Sequence, residues 1–335
     1  MEATVKFLGT VSGVAAAILL TVMGSFAGDV NAADEWPSGP ITMVIPYAAG
    51  GSVDRSTRIL APFLEKELKT SIVIENRPGA SGQIGVQSLL RRPADANTIL
   101  AEAQPNHSTP IIFQKAPYAF GDIEIVNAHE IGNVSLSVQA DAPYKSFDDL
   151  HKAIKANPGK LSIGFPRGGS NQLMALLLQE KLGWDVLMVP FESGTPARAA
   201  LLGGHITAMT NGAVTDADMK PRIRSLALST PIKLAVWPDS PYINDVLKSY
   251  GVQITAVGDV RFYGFKKGTK AQYPERFDKF VKAYQNAMKN PEYIAMIVKA
   301  GAADETAFRG IEQSERIIQD LHRLLLEHQD KFQQQ

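Results

Sequence analysis

Cysteine is absent from the 335-residue sequence, and neither sign of charge is in excess. Without cysteine the chain forms no disulfide and carries no lipid on an N-terminal cysteine. The 34 basic and 34 acidic residues give a formal net charge of zero, and they form no basic run. These features argue against binding of nucleic acid and against a role at a membrane surface.

The motifs of the common enzyme classes are also missing. The sequence contains no Gly-x-Ser-x-Gly elbow of a serine hydrolase and no Gly-x-x-x-x-Gly-Lys-Ser/Thr phosphate loop. The six histidines show no His-x-x-x-His or similar metal-ligand spacing. We therefore predict no catalytic residue, no metal site and no cofactor.

The start of the chain has the pattern of an export signal. Lys6 precedes an apolar stretch that ends in Val30-Asn31-Ala32. Small residues at positions −3 and −1 predict a signal peptide over residues 1–32, with cleavage after Ala32. Cleavage after Ala27 and a retained membrane anchor are the alternatives. A soluble exported protein is useful mainly in an enclosed compartment, so we predict the periplasm and no lipid anchor.

Residues 41–54, ITMVIPYAAGGSVD, contain an apolar run, a glycine turn and the start of an amphipathic helix. The run 41–45 predicts a strand buried on both faces of a parallel sheet. Ser52 is predicted to be the N-cap of the helix. Free N–H groups at a helix start favour an anion by about 0.3–1 kcal/mol. The loop therefore suits a carboxylate or a phosphate, and a turn that merely joins strand to helix is the equal alternative.

Further strands are followed by loops of the same kind. Strand 72–74 leads into the glycine-rich loop 75–85, and strand 98–101 leads into the polar loop 103–107. Alternating strands and helices predict an open α/β sheet, in which ligands bind beyond the carboxyl ends of the strands.

The second half of the sequence repeats this pattern. Strand 161–165 precedes loop 166–171, in which Ser170 takes the place that Ser52 has in the first half. Strand 206–210 ends at Asn211. Two sets of ligand-binding loops are therefore predicted, one in each half.

Two of these segments, 46–54 (PYAAGGSVD) and 75–85 (ENRPGASGQIG), resemble motifs of the substrate-binding proteins of tripartite tricarboxylate transporters, the Bug-type periplasmic receptors. Shorter matches follow in order at 156–161, 189–191, 201–205 and 262–265. The resemblance implies an α/β, periplasmic-binding-protein-like fold of type II. Each of its two lobes would be a doubly wound sheet flanked by helices, with the ligand cleft between lobes that close like a Venus flytrap.

The sequence fits this plan with two crossings between lobes. After the signal peptide, we predict residues 33–139 as the first part of domain 1, 140–261 as domain 2, and 262–335 as the return to domain 1. Hinges are expected near 139–141 and 260–262. A helix capped by Ser146 opens the second domain. In the return segment, Phe277, Phe280 and Tyr284 are predicted to pack in the core.

The ligand-binding residues are predicted from the loops at the strand ends. Ser52 and Ser170 have helix capping as an alternative role, and apolar packing is the alternative for Tyr47. Asp54 and Arg77 are expected to brace their loops rather than to contact ligand. The predicted contacts are Tyr47, Ala48, Ala49, Gly50, Gly51, Ser52, Gly82, Gln83, Gln104, Gly168, Gly169, Ser170, Asn171, Ser193 and Asn211.

We predict a receptor that captures a small organic carboxylate by lobe closure and delivers it to the permease subunits of a tripartite tricarboxylate-type transporter. Di- or tricarboxylates and aromatic acids both fit. Asn211 stands where many members of the family have Asp, which favours an anionic ligand. Arg167 could pair with a distal carboxylate, with a solvated surface role as the alternative. The protein is expected to be a monomer. A receptor for a two-component system and a periplasmic enzyme are the alternative functions.

Overall fold

Two five-stranded sheets form the framework of the protein. The structure is a computed structural model, and it describes residues 36–333. The signal peptide predicted for residues 1–32 lies outside the described residues. The strands are β1 (Ile41–Ile45), β2 (Ile72–Asn76), β3 (Thr98–Gln104), β4 (Ile123–Ile131), β5 (Val134–Gln139), β6 (Ser162–Pro166), β7 (Leu187–Phe191), β8 (Ala208–Gly212), β9 (Ile223–Leu228) and β10 (Val260–Lys266). The helices are α1 (Ser52–Leu68), α2 (Gln83–Leu90), α3 (Ser108–Phe113), α4 (Phe147–Ala156), α5 (Ser170–Leu182), α6 (Gly194–Leu202), α7 (Ala213–Asp216), α8 (Ile243–Leu247), α9 (Thr269–Gln272), α10 (Pro274–Lys289), α11 (Pro291–Lys299), α12 (Ile311–Glu327) and α13 (Gln329–Gln333).

Each sheet is the centre of one lobe. The first lobe has the strand order β2-β1-β3-β10-β4, and the second has β7-β6-β8-β5-β9. Strand β1 is parallel to β2 and β3, and β6 is parallel to β7 and β8. Strands β10 and β5 are antiparallel to both of their neighbours, so the sheets are mixed. Two such sheets with flanking helices confirm the predicted two-lobed α/β fold.

The chain first passes between the lobes at residues 132–133, seven residues before the predicted boundary. Strand β5 lies before that boundary, yet it pairs with β8 and β9 and belongs to the second lobe. The predicted hinge at 260–262 lies inside β10, in the first lobe. An apolar strand pattern does not show which sheet the strand joins, and this explains the error. We propose that domain 2 starts at Asn133 and ends before Val260.

The two crossing segments touch each other. The Gly132 N–H donates to the Asp259 carbonyl oxygen over 2.9 Å. A Cβ atom on Gly258 would lie 2.1 Å from the Gly132 carbonyl oxygen, far inside contact distance. Residue 258 must therefore be glycine for the segments to approach this closely.

Helices α1 and α5, which follow the glycine-rich loops after β1 and β6, begin in the same way. Gly51 precedes α1 and Gly169 precedes α5, both with extended backbone and neither followed by a side-chain cap. Ser52 is therefore the first helical residue and not the N-cap, which corrects the prediction. The cap predicted at Ser146 is confirmed, because Ser146 and Asp149 form a reciprocal capping box.

The return segment packs its aromatic residues into the first lobe. Phe277, Phe280 and Tyr284 are at most 1% exposed. The Phe280 ring lies edge-on to Phe265 of β10, with 5.0 Å between centroids. The predicted core role of these residues is confirmed.

Candidate functional site

A cavity between the lobes is formed by glycine-rich loops, and we call it the glycine-loop cavity. Its volume is about 560 Å³. The first lobe contributes Tyr47, Ala48 and Gly82, and the second lobe contributes Gly168 and Gly169. These loops follow β1, β2 and β6, so the cavity lies at the carboxyl ends of the strands, as the sequence predicts.

The second cavity has a volume of about 410 Å³, and we call it the arginine cavity. Arg55 enters it from the first lobe and Arg198 from the second. Asn171 and Asp259 line both cavities. The two cavities are therefore neighbouring parts of one cleft between the lobes.

Asp54 holds the β1–α1 loop in shape. Its carboxylate accepts hydrogen bonds from the Gly50 N–H (2.8 Å), Arg58 Nε (2.9 Å) and Asn76 Nδ2 (3.0 Å). Although burial raises the pKa of Asp54, these donors hold it below its usual value. The first acceptor within α1 is the Gly51 carbonyl, which takes the Arg55 N–H. The N–H groups of residues 52–54 therefore have no acceptor within the helix.

The start of α5 is equivalent in the second lobe. The Gly169 carbonyl accepts the Leu173 N–H, so the N–H groups of residues 170–172 have no acceptor within that helix. Gln172 braces the loop by accepting the Gly168 N–H over 2.8 Å. The two lobes thus present a helix start each to the cleft, and helix starts attract anions.

Tyr47 lines the glycine-loop cavity, and a hydrogen bond of its hydroxyl group fixes its ring. Its hydroxyl donates to the carboxylate of Glu102, a buried residue of β3. Burial, together with the Glu102 charge, raises the pKa of Tyr47 well above its usual value. The hydroxyl therefore stays protonated and keeps this orientation of the ring.

The arginine cavity has arginine and carboxyl groups on both of its walls. Arg198 donates to Thr195 Oγ1 (3.0 Å) and lies 3.8 Å from Asp216. Burial raises the pKa of Asp216 to about 6. On the other wall, Arg261 pairs with Glu130, and Glu305 lies alongside. A polar ligand with both kinds of charge can be satisfied here.

The predicted ligand contacts divide between the two cavities and the turn that joins them. Ala49, Gly50 and Gly51 lie between Ala48, which lines the glycine-loop cavity, and Ser52, which lines the arginine cavity. The predicted contacts that line the glycine-loop cavity are Tyr47, Ala48, Gly82, Gly168, Gly169 and Asn171. Those that line the arginine cavity are Ser52, Asn171 and Asn211.

Some of the predicted contacts are engaged elsewhere. Gln104 is fully buried and hydrogen-bonds to Ser108 and the Ile318 carbonyl, so its prediction as a ligand contact is wrong. It belongs to β3 rather than to the loop that follows. Ser170 is also fully buried, below the surface of the cleft. Gln83 donates to Gln114 (2.9 Å), and Ser193 precedes α6 with an exposed side chain.

Sequence reasoning missed six charged residues of the cleft: Arg55, Glu130, Arg198, Asp259, Arg261 and Glu305. Asp259 precedes β10 and Glu305 follows α11, so both come from segments without a glycine-rich loop. The surrounding protein raises the pKa of both carboxyls. The uncharged amide of Asn211 was expected to favour an anionic ligand over one with an ammonium group. Asp259 and Glu305 supply acidic groups to the same cleft, which weakens this argument. The one sequence signal that could have identified them was an acidic residue next to a segment that crosses between the lobes.

The described part of the chain offers two negative findings. Residues 36–333 contain no cluster of three His, Asp or Glu side chains suited to a metal ion. No helix in the same range is long and apolar enough to cross a bilayer.

Comparison with known proteins identifies relatives that share this architecture. The profile of the family described as "Tripartite tricarboxylate transporter family receptor" matches residues 56–325. Protein BugT of Bordetella pertussis is 30% identical over 238 residues, which are 67% of this chain and 72% of BugT. A protein from the gbd 5′ region of Cupriavidus necator is 28% identical over 292 residues, 86% of each chain.

Solved structures show the same fold. A ligand-free TctC solute-binding protein from Polaromonas superposes with a TM-score of 0.77 at 23% identity, covering 88% of this chain and 99% of that one. Rpa4515 of R. palustris with adipate gives 0.66 at 21% identity, covering 89% and 97%. MatC of Rhodopseudomonas palustris with bound malate gives 0.61 at 21% identity, covering 89% and 98%.

The matched family consists of binding proteins and not of enzymes. Its profile matches segments of both lobes, from within α1 to within α12. The chain belongs to the tripartite tricarboxylate transporter family of receptors, the family of the Bug-type solute-binding proteins.

Proposed function

We propose that the protein binds a small organic carboxylate in the cleft and delivers it to the membrane subunits of a tripartite tricarboxylate-type transporter. The carrying observation is that α1 and α5 start at one cleft from opposite lobes, with first-turn N–H groups that have no acceptor within their own helix. Of these groups, the Ser170 N–H is bonded to the Asp259 carboxylate. Each start favours an anion by about 0.3–1 kcal/mol, and more when it is partly buried. A carboxylate with oxygens on both sides can use both helix starts at once.

Adipate and malate, bound by Rpa4515 and MatC, support a dicarboxylate as the first class to test. Cavities of about 560 and 410 Å³ side by side have room for an aliphatic diacid or an aromatic acid. The periplasm is the proposed location, with export directed by residues 1–32. A permease gene beside this one would support transport, whereas a histidine kinase gene would support sensing.

A thermal-shift screen of the mature protein tests the proposal. We expect malate, adipate or an aromatic acid such as benzoate to raise the melting temperature, because a ligand that binds only the folded state adds RT ln(1 + [L]/Kd). This contribution is about 2.7 kcal/mol at one hundred times Kd. Methyl esters of the same acids are the control and should give no shift. If no carboxylate in a broad panel shifts the melting temperature, the proposed ligand class is wrong.

Arg167 supplies a cation on the second-lobe side of the glycine-loop cavity, where its side chain is exposed. We expect Arg167→Ala to weaken binding of a diacid by about 1.5–3 kcal/mol and to leave a monoacid almost unchanged, since a charge-assisted hydrogen bond to the distal carboxylate is lost. Calorimetric titration of both acids measures the difference.

Arg77→Ala is the matched control for this experiment. Arg77 carries the same charge, but its guanidinium is bonded to Glu75. This contact supports a role for Arg77 in bracing its own loop. Equal affinity changes for monoacid and diacid in Arg167→Ala would assign Arg167 to the solvated surface.

A further inference from the structure

A buried carboxylate lies directly beneath the glycine-loop cavity. Glu102 is 1% exposed, and its Oε2 is 4.0 Å from the position that a Cβ on Gly82 would occupy. Its Oε1 accepts the Tyr47 hydroxyl and the Ala103 N–H. Gly82 and Tyr47 both line the cavity. A negative charge on Glu102 therefore opposes the anion that the proposed function places above it.

His107 is the basic group next to this carboxylate. Its Nδ1 lies 3.9 Å from Glu102 Oε2. The residue is 2% exposed, and neither ring nitrogen has a hydrogen-bond partner among residues 36–333. Buried polar atoms are almost always paired, so an imidazole with two free nitrogens is exceptional. A proton on Nδ1 would convert the contact with Glu102 into an ion pair and cancel the charge below the cavity.

Other groups near the pair do not provide this charge balance. Within the described chain, the ion pair of Glu102 is with His107 and not with a lysine or an arginine. The His107 ring stacks on Tyr118 at 5.7 Å and packs against Phe120 and Phe262. His322 is the nearest second imidazole, and His107 lowers its pKa in addition to the effect of burial. On its other side, His107 borders a cavity of about 220 Å³ whose charged lining residues are Glu124, Lys267 and Glu315.

We propose that Glu102 and His107 set the charge of the ligand cavity, so that a carboxylate binds together with one proton taken up by this pair. When an anion enters the cavity, His107 takes a proton from solvent and becomes imidazolium. The inference rests on the proposed function, because the anion above the pair drives proton uptake.

Calorimetric titration with malate and with adipate tests this coupling. In two buffers of different ionisation enthalpy, wild-type protein should take up a proton on binding, and its affinity should fall about tenfold from about pH 6 to about pH 8. Carboxyl groups titrate mainly below this range, so the acids themselves contribute little to the measured proton uptake. Glu102→Gln keeps the shape of the side chain and should bind more tightly at about pH 8, without proton uptake.

His205→Gln is the matched control, because it removes an exposed imidazole from the second lobe. It should keep both the proton uptake and the pH profile of the wild type. Proton uptake that is unchanged in Glu102→Gln would overturn the proposal. Binding of malate or adipate in that experiment would still support the proposed function.

A measurement without ligand tests the Glu102–His107 pair separately from the proposed function. Nitrogen-15 spectra of the imidazoles report the titration of His107 in the free protein. Loss of the Glu102 charge should lower this midpoint in Glu102→Gln, because a neighbouring carboxylate stabilises the imidazolium form. An unchanged midpoint would overturn the proposed coupling of Glu102 and His107, whether or not malate or adipate binds. A shifted midpoint in a protein that binds no carboxylate would instead reject the proposed function.

Discussion

Addition of a carboxylate that raises the melting temperature is expected to lower the radius of gyration of the protein, because the two lobes close on the ligand. The helix starts of α1 and α5 lie on opposite lobes, so a ligand reaches both only in the closed state. A shift from 1:99 to 99:1 in favour of the closed state needs about 5.5 kcal/mol of differential affinity. Charge-assisted hydrogen bonds of about 1.5–3 kcal/mol each can supply this.

Solution X-ray scattering with and without the ligand measures the change. A carboxylate that gives no thermal shift is the control and should leave the profile as it is. We propose the hinge at residues 132–133 and 258–259, where Gly132 donates to Asp259, in place of the segments predicted from the sequence. An identical profile with a saturating ligand would show a fixed cleft and would remove this hinge.

The stability of the protein is expected to fall by about 3 kcal/mol between pH 6.5 and pH 4 through His129 alone. His129 lies in β4 between two tyrosines, with Tyr284 Oη 2.6 Å from Nδ1 and Tyr293 Oη 3.1 Å from Nε2. Burial, with Arg261 and Arg309 nearby, lowers the pKa of His129 to about 3. Below pH 6.5 the unfolded chain therefore binds a proton that the folded protein does not, so each pH unit costs about 1.4 kcal/mol. Above pH 6.5 this loss is absent.

Urea denaturation at several pH values measures the free energy of unfolding. His129→Gln can still hydrogen-bond to both tyrosines but does not titrate, and its stability should depend on pH less steeply by one proton over this range. If the variant does not fold, the imidazole signals of wild-type protein decide, since His129 should remain neutral at pH 4. The same slope in both proteins, or a charged His129 at pH 4, would contradict the prediction.

Local sequence patterns predicted the loops of the cleft well, because strand, turn and helix follow one another within fifteen residues at 41–54. They failed wherever a residue's partner is remote in the chain. The apolar pattern of β5 is the same whichever sheet it joins, so the boundary was placed at its end. Gln104 was assigned to the cleft by its polarity, whereas its hydrogen bonds go to α3 and to the Ile318 carbonyl.

The charged residues of the cleft were hidden for the same reason. Asp259 and Glu305 meet near residue 132, more than one hundred residues away along the chain, and only the folded topology brings them together. Glu102 lies in a strand that reads as largely apolar, and nothing in the local pattern places it below Tyr47, 55 residues away. Single sequences carry such contacts only weakly, because each is set by the packing of two sheets.

The position of β10 between β3 and β4 has a consequence for the order in which the lobes form. The first sheet lacks one of its inner strands until residue 266 is available, whereas the second sheet uses only residues 134–228. Loop closure between β3 and β10 spans about 160 residues and is slow compared with pairing inside the second lobe. The second lobe can therefore acquire its native hydrogen bonds while the first still exposes the edges of β3 and β4. A chain shortened before Val260 would retain one complete sheet and leave the other open to pairing with further chains.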